Sequence, residues 1–146
     1  VRLHSYFEKE GDQDFKLDKN WLEDELWLRI RLDPQTLPTG PIKVIPGAVT
    51  TRFDHHPIQA YEASGTLTQD SRQTTYELHY PELKKTLEIT FDTKFPHIIR
   101  NWKEISSQGT TEAVLTHRIM NSEYWSENSP KNRELRKKLG LAPLAN

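Results

Sequence analysis

The sequence predicts a mainly β fold (α+β), in which a curled antiparallel meander or partial barrel carries one covering helix and a short C-terminal helix. Apolar and polar residues alternate through the middle of the chain, most clearly at Leu87, Ile89 and Phe91. This is the pattern of a strand, because its successive side chains point to opposite faces. Turn-forming tracts such as Ser106-Ser107-Gln108-Gly109 separate the alternating runs. The connections are therefore short, and short connections favour antiparallel neighbours because parallel strands need long crossovers.

The alternating runs define the expected strands. The first begins at residue 1, and a turn at Glu10-Gly11-Asp12-Gln13 allows the chain to pair back on itself. If further strands precede residue 1, a sheet edge is left exposed, and we expect a homodimer to form through it. The expected strands are residues 1–7, 14–17, 42–45, 49–53, 58–68, 75–80, 86–92, 98–105 and 111–121.

The covering helix is predicted over residues 20–32. Asn20 is the expected N-cap, and Glu23, three residues later, completes a capping box. Asp33 should end the helix, since a residue before proline disfavours the α region. One stripe of apolar residues follows the helical spacing: Leu22, Leu26 and Ile30.

The C-terminal helix is predicted over residues 130–139. Ser129 is a candidate N-cap, Pro130 suits the first helical position and Gly140 suits the C-terminal stop. Five of its residues are basic, against the single acid Glu134. Such a helix either faces solvent or meets an acidic partner or anionic lipid heads, and its narrow apolar side favours solvent.

Composition indicates one domain of 146 residues that is large enough for a hydrophobic core. The net charge of −1 and the pI of about 6.7 argue against a nucleic-acid partner. The absence of cysteine excludes disulfides and thiolate catalysis. No run approaches the roughly 18 apolar residues of a membrane span. Neither G-x-G-x-x-G nor G-x-x-x-x-G-K-[ST] occurs, so we expect no cofactor.

The aromatic residues of the sheet are the candidate ligand-binding residues. On a concave face they would hold a small hydrophobic or saccharide ligand or a protein partner. Packing beneath the first helix is the simpler alternative. The candidates are Tyr61, Tyr76, Tyr80, Phe91 and Trp102.

Two weaker patterns concern metal binding and hydrolysis. His55 and His56 are weak metal candidates, because adjacent strand residues point to opposite faces and no other ligand lies at a familiar spacing. A glycosidase needs two carboxyl groups about 5–10 Å apart. The acids at polar strand positions are Glu77, Glu88, Asp92 and Glu104, for which solvent exposure is the alternative explanation.

Several tracts resemble an uncharacterised bacterial family whose members often carry the automated label "septum formation inhibitor Maf". The tracts are Ser5-Tyr6-Phe7-Glu8 with Glu10-Gly11-Asp12, Glu25-Leu26-Trp27 with Leu37-Pro38-Thr39-Gly40, Tyr80-Pro81-Glu82-Leu83 with Thr86-Leu87 and Phe95-Pro96, and Tyr124-Trp125-Ser126 with Leu139-Gly140-Leu141. The resemblance covers nearly the whole chain. Family members are longer at the N-terminus and often have an exported lipoprotein-type leader, so it implies the C-terminal portion of such a protein.

The resemblance implies a binding or structural module of the cell envelope or periplasm, with a lipid, saccharide or protein ligand. The family label implies a nucleotide pyrophosphatase, which makes a hydrolase the alternative. Enzymes of that kind have an α/β fold and a phosphate-binding start, and this sequence has neither pattern. The resemblance therefore carries over no catalytic residue to this chain.

Overall fold

A seven-stranded, mostly antiparallel sheet is the main element of the protein, and its strand order follows the chain order. The computed structural model describes residues 2–4, 11–14, 16–54 and 56–141. The sheet does not close into a barrel, and the predicted mainly β fold is confirmed. The strands are β1 Arg2–Leu3, β2 Gln13–Asp14, β3 Trp21–Leu22, β4 Gly40–Ile45, β5 Tyr61–Gln69, β6 Gln73–Tyr80, β7 Lys85–Asp92, β8 Ile99–Ser106 and β9 Gly109–Val114. The helices are α1 Glu23–Leu32, the 3₁₀ turn Pro34–Thr36, α2 Ala48–Phe53 and the 3₁₀ helix Pro130–Leu139, called the C-terminal helix.

The chain divides into two compact units, residues 1–113 and 114–146. The first unit contains the main sheet, which runs from β3 to β9, and a separate two-stranded sheet of β1 and β2. β1 and β2 pair antiparallel, as the predicted N-terminal hairpin requires, although Glu10 of its turn lies outside the described residues. The expected single domain over the whole chain stays a prediction.

One face of the sheet forms the core, as the alternation predicts. On β6 and β7 every second residue is buried, and the register places Tyr76 opposite Ile89 and Leu78 opposite Leu87. Leu26 and Ile30 of α1 belong to the same buried cluster. Among the described residues, the buried apolar positions are Leu26, Ile30, Leu37, Val44, Tyr61, Ala63, Tyr76, Leu78, Tyr80, Leu87, Ile89 and Phe91.

The first helix begins three residues later than predicted. Trp21 and Leu22 are extended and pair in parallel with Val44 and Ile45 of β4, so α1 starts at Glu23. The expected Asn20 cap is therefore wrong, since the residue before the helix is Leu22 and it makes no side-chain cap. Backbone pairing with a distant strand outweighs the local capping preference here. Three acids in the first turn (Glu23, Asp24 and Glu25) favour the helix through its dipole.

Several predicted strands need correction. The strand predicted over 14–17 ends at Asp14, and the strand predicted over 58–68 begins only at Tyr61. Residues 49–53 form part of α2 and not a strand: Gly47 precedes the helix, and the amide of Asp54 donates to the carbonyl oxygen of Thr50 at 3.0 Å. The strand predicted over 111–121 ends at Val114. Beyond it Met120 is exposed and Asn121 has a positive φ of 53°, so the alternation there does not mark a buried face.

The C-terminal helix has the predicted bounds. Ser129 precedes it, Pro130 is its first residue, and Gly140 ends it with a φ of 67°. The amide of Leu141 donates to the carbonyl oxygen of Arg136 at 3.2 Å, which closes the last turn. In the first unit β9 is an edge strand, and a homodimer through such an edge stays a prediction.

Gly65 of β5 permits a close approach between the sheet and the segment after α1. The hydroxyl of Tyr76 donates to the carbonyl oxygen of Pro38 at 2.8 Å, and both groups are buried. A Cβ added at Gly65 would lie 2.6 Å from the Tyr76 hydroxyl and closer still to the Pro38 carbonyl oxygen. The absence of a side chain at this position therefore maintains the hydrogen bond.

Gly65→Ala should lower the free energy of unfolding by about 2–4 kcal/mol, because the added methyl must displace the backbone at Pro38 or break its hydrogen bond. Urea unfolding measures the change. The neighbouring substitution Thr66→Ala, on the exposed face, should cost less than about 1 kcal/mol. Equal effects of the two substitutions would contradict the close approach.

Candidate functional site

The predicted ligand-binding aromatics lie together in the core beneath α1. Tyr61, Tyr76, Tyr80 and Phe91 are buried, and Leu26 and Ile30 of α1 belong to the same cluster. Trp102 is half-buried and makes an edge-to-face contact with Trp27 of α1, with ring centroids 6.2 Å apart. Packing therefore accounts for all five positions. Ligand binding by this face stays a prediction, and it would require α1 to move.

The hydroxyl groups of these tyrosines have partners within the protein. Tyr61 donates to the carbonyl oxygen of Pro57 at 3.2 Å, and Tyr80 donates to Oε2 of Glu23 at 2.8 Å. Burial raises the pKa of the Tyr76 hydroxyl. Burial raises the pKa of Tyr80 well above its ordinary value of 10.0, and the neighbouring carboxylate of Glu23 raises it further. Both hydroxyls remain neutral donors within the fold.

A cluster of charged and polar side chains lies inside the first unit, around Lys85 of β7. Lys85 is only 3% exposed and Glu23 only 5%. Nζ of Lys85 lies 3.2 Å from Oε1 of Glu23 and 2.8 Å from Oε2 of Glu104, and it also donates to the hydroxyl of Thr50. Tyr80 completes the cluster through its bond to Glu23. We call these five residues the Lys85 cluster.

The Lys85 cluster is closed by its own contacts. An ammonium has three protons to donate, and Glu23, Thr50 and Glu104 supply three acceptors. The side chain of Glu104 is 35% exposed, so it alone connects the cluster with solvent. A Cβ at Gly47 would lie 2.9 Å from Oε1 of Glu23, so the backbone packs directly on this carboxylate. The arrangement fixes α1, α2 and three strands in place.

Two members of this cluster, Lys85 and Glu23, could have been predicted from the sequence as buried charged residues. Lys85 shares the parity of Leu87, Ile89 and Phe91, so a lysine occupies a position of the buried face. Glu23 precedes Leu26 by three residues and therefore shares the buried face of the helix. Thr50 and Glu104 carried no such signal, because their roles depend on tertiary contacts.

The weaker candidates are scattered. His55 lies outside the described residues, and His56 packs edge-on against Tyr61. Glu77 and Glu88 face each other across β6 and β7, on the polar face of the sheet. The remaining two predicted acids are each bound to a cation: Asp92 to Arg100 at 2.7 Å, and Glu104 to Lys85.

An open cleft of about 470 Å³ lies beside β3, at the margin of the sheet. Its volume is within the range of ligand sites in proteins. A recess of about 340 Å³ adjoins it and shares two of its lining residues, Asn20 and Lys43. The cleft is lined by Lys19, Asn20, Trp21, Glu25, Arg29, Ile42 and Lys43. We call it the Trp21 cleft.

The Trp21 cleft combines an indole ring with several cations. The guanidinium of Arg29 lies 4.7 Å from the Trp21 ring centroid and forms an ion pair with Glu25 at 2.6 Å. Lys43 pairs with Glu62 at 3.1 Å, outside the lining. Among the described residues, no carboxylate lies within ion-pair distance of Lys19. The cleft therefore offers an aromatic surface, hydrogen-bonding groups and an excess of positive charge.

Comparison of the chain with protein-family models, with curated proteins and with solved structures gives no match. No helix among the described residues is long and apolar enough to cross a membrane. In the same part of the chain, no three His, Asp or Glu side chains are grouped so as to hold a metal ion.

Lys85→Met should destabilise the protein by about 3–5 kcal/mol, because it leaves the Glu23 carboxylate buried without its cation. Adding Glu23→Gln should recover most of that loss, since the amide removes the unpaired charge. Urea unfolding of the two single variants and the double variant measures the coupling. Strictly additive effects would show that the two side chains do not form a buried pair.

The raised pKa of Tyr80 predicts a loss of stability in alkali. Below pH 10.0 the hydroxyl is protonated in both the folded and the unfolded state. Above that pH it ionises in the unfolded chain first, so the free energy of unfolding falls by up to about 1.4 kcal/mol per pH unit. Tyr80→Phe should cost about 1.5–3 kcal/mol at neutral pH, because it removes the hydrogen bond to Glu23.

The same variant should show a shallower fall in stability above pH 10.0. Unfolding in urea at a series of alkaline pH values measures both slopes. If the wild-type protein and Tyr80→Phe lose stability in parallel, the Tyr80 hydroxyl is not the group responsible.

Proposed function

We propose that the protein is a non-enzymatic binding module of the bacterial cell envelope and that it holds an anionic saccharide in the Trp21 cleft. The observation that carries the proposal is the combination of an indole ring and three cationic side chains around one open cleft of about 470 Å³. The cell-envelope location is supported by the resemblance in the tracts quoted above, such as Tyr80-Pro81-Glu82-Leu83.

A saccharide suits the cleft because a sugar ring has both an apolar face and hydroxyl groups. The indole of Trp21 is half-buried and carries the Arg29 guanidinium over its ring, so a sugar ring would contact the part of the indole that remains exposed. Asn20 has an amide that donates and accepts, and Glu25 has a carboxylate that accepts from hydroxyl groups. A purely apolar lipid tail would displace water from these groups and offer them no hydrogen bond in return, at an energetic cost.

A negative charge on the saccharide suits the cations. Lys19, Arg29 and Lys43 line the cleft, whereas the adjoining recess adds no net charge, because both Lys16 and Asp18 line it. Glu25 and Glu62 neutralise Arg29 and Lys43, which leaves Lys19 to bind a carboxylate of the ligand. Charge-assisted hydrogen bonds of this kind are about twice as strong as neutral ones. The preferred ligand is therefore a sugar acid such as a uronate.

A hydrolase is the second candidate, and the Lys85 cluster is the observation that favours it. Glu23 and Glu104 both contact Nζ of Lys85, at 3.2 and 2.8 Å, so these carboxylate oxygens lie within about 6 Å of each other. Retaining glycosidases place their carboxyl groups at a similar separation, about 5–5.5 Å. However, every proton of the ammonium already has an acceptor, and hydrolysis would require these contacts to break.

Titration with digalacturonic acid, monitored by NMR, tests the binding proposal, with maltose as the uncharged control. The acidic disaccharide should bind, and Trp21→Ala should weaken it at least about tenfold by removing the stacking surface. Lys19→Gln should weaken the binding of digalacturonic acid and leave the affinity for maltose unchanged. Trp125→Ala, an exposed tryptophan of the other unit, is the matched control and should bind as the wild type does.

Different outcomes separate the two candidates. Equal affinity for digalacturonic acid and maltose, or unchanged binding by Trp21→Ala, would refute an anionic-saccharide site in the cleft. Hydrolysis would appear in the same spectra as new anomeric signals, and Glu104→Gln should abolish them if the Lys85 cluster is catalytic. Binding without new signals supports the module over the hydrolase.

A further inference from the structure

Positive charge is concentrated in the second unit, residues 114–146. This segment contains six lysines and arginines against three glutamates, a net charge of +3. The first 113 residues contain the other 14 basic and 18 acidic residues, a net charge of −4. The basic residues of the C-terminal helix are Lys131, Arg133, Arg136, Lys137 and Lys138. The second unit therefore attracts an anionic surface although the whole chain is nearly neutral.

The second unit also exposes large apolar side chains. Met120 is 61% exposed, Tyr124 75% and Trp125 67%. The rings of Tyr124 and Trp125 make an edge-to-face contact, with centroids 5.3 Å apart. The described residues of the buried core lie between residues 26 and 91, within the first unit. These aromatic side chains are thus available to a partner.

A recess of about 330 Å³ lies at the start of the C-terminal helix. Arg133 and Arg136, one 3₁₀ turn apart, both line it. The Ser129 hydroxyl also lines the recess; its oxygen is shielded from solvent and has no hydrogen-bond partner among the described residues. The lining is Glu127, Asn128, Ser129, Pro130, Asn132, Arg133 and Arg136. Two arginines that line one recess suit a phosphate, whose oxygens accept from both guanidinium groups, and they outnumber the one carboxylate of the lining, Glu127.

We propose that residues 114–141 dock on the surface of an anionic phospholipid bilayer, with a headgroup phosphate bound by Arg133 and Arg136 and with Tyr124 and Trp125 at the lipid–water interface. Tryptophan and tyrosine favour that interface because each ring joins an apolar body to a polar group. An acidic protein would match both the charges and the aromatic pair, and it becomes the favoured partner if the anionic vesicles do not bind. The C-terminal helix has only two leucines, Leu135 and Leu139, and both are half-buried, so the contact is peripheral.

Cosedimentation with vesicles tests the proposal, using phosphatidylcholine alone and phosphatidylcholine mixed with phosphatidylglycerol. The wild-type chain should bind only the anionic vesicles, and added salt should weaken binding because it screens the charges. Arg133→Glu with Arg136→Glu should weaken binding at least about tenfold, since each basic residue near the surface contributes about fivefold. Trp125→Ala should also weaken it.

Two controls match these variants. Lys94→Glu with Lys103→Glu makes the same change in net charge within the first unit and should leave vesicle binding unchanged. Trp21→Ala removes a tryptophan from the saccharide cleft and should also bind vesicles normally. Circular dichroism shows whether each variant is folded. The effect of salt on vesicle binding is measured with the wild-type protein, so that part of the test does not depend on the folding of any variant.

Equal binding to the two kinds of vesicle, or an equal loss in the Lys94 and Lys103 double variant, would overturn the proposal. Sedimentation velocity without vesicles gives a further test. A stable dimer that Trp125→Ala dissociates would show that a second copy covers the aromatic pair, and it would also overturn the proposal. Loss of saccharide binding alone would refute only the function proposed above.

Discussion

The buried ammonium of Lys85 is the interaction on which the arrangement of the first unit depends. Removing a lysine from water costs several kcal/mol unless oppositely charged and hydrogen-bonding groups surround it. Here the partners come from α1 (Glu23), α2 (Thr50) and β8 (Glu104), which are far apart in the chain. The charge is compensated only when all three elements are in place. The cluster thus specifies a single position of the helices on the sheet, which apolar packing alone would define less sharply.

Closure of the aromatic face follows from that position. With α1 fixed by Glu23, its apolar side covers the face that carries Tyr76 and Phe91, and the hydroxyls of Tyr76 and Tyr80 bond to groups of the protein. A ligand on that face would have to break charged contacts as well as apolar ones. At the margin of the sheet, a ligand could bind without breaking these contacts. Trp21 lies at that margin because it pairs in parallel with Val44 as part of the edge strand β3, which ends just before the helix.

Much of this fold could be predicted from the sequence, because strands with one buried face leave a period-two pattern. The pattern located β4 to β8 and the face of the core. It failed over residues 49–53, whose β-branched residues favour a strand, because Thr50 is held in a helix as an acceptor for Lys85. The prediction of where α1 starts was wrong for a similar reason. Asn20 is a good local N-cap, but the pairing of Trp21 with Val44 keeps the next two residues extended. The Trp21 cleft could not be predicted, because its lining combines residues of β3, α1 and β4 that only tertiary contacts bring together.

The two proposed surfaces differ in the range of the forces that would act on them. The first unit has a net charge of −4, so an anionic saccharide gains nothing at long range and must be held by close contacts in the Trp21 cleft. The second unit has a net charge of +3, and an extended anionic bilayer attracts all of its basic residues together. At physiological ionic strength charges are screened beyond about 8 Å. A short contact between Lys19 and a ligand would be screened less than an attraction spread over the C-terminal helix. If both proposals hold, saccharide binding would therefore depend less on salt than attachment to a bilayer.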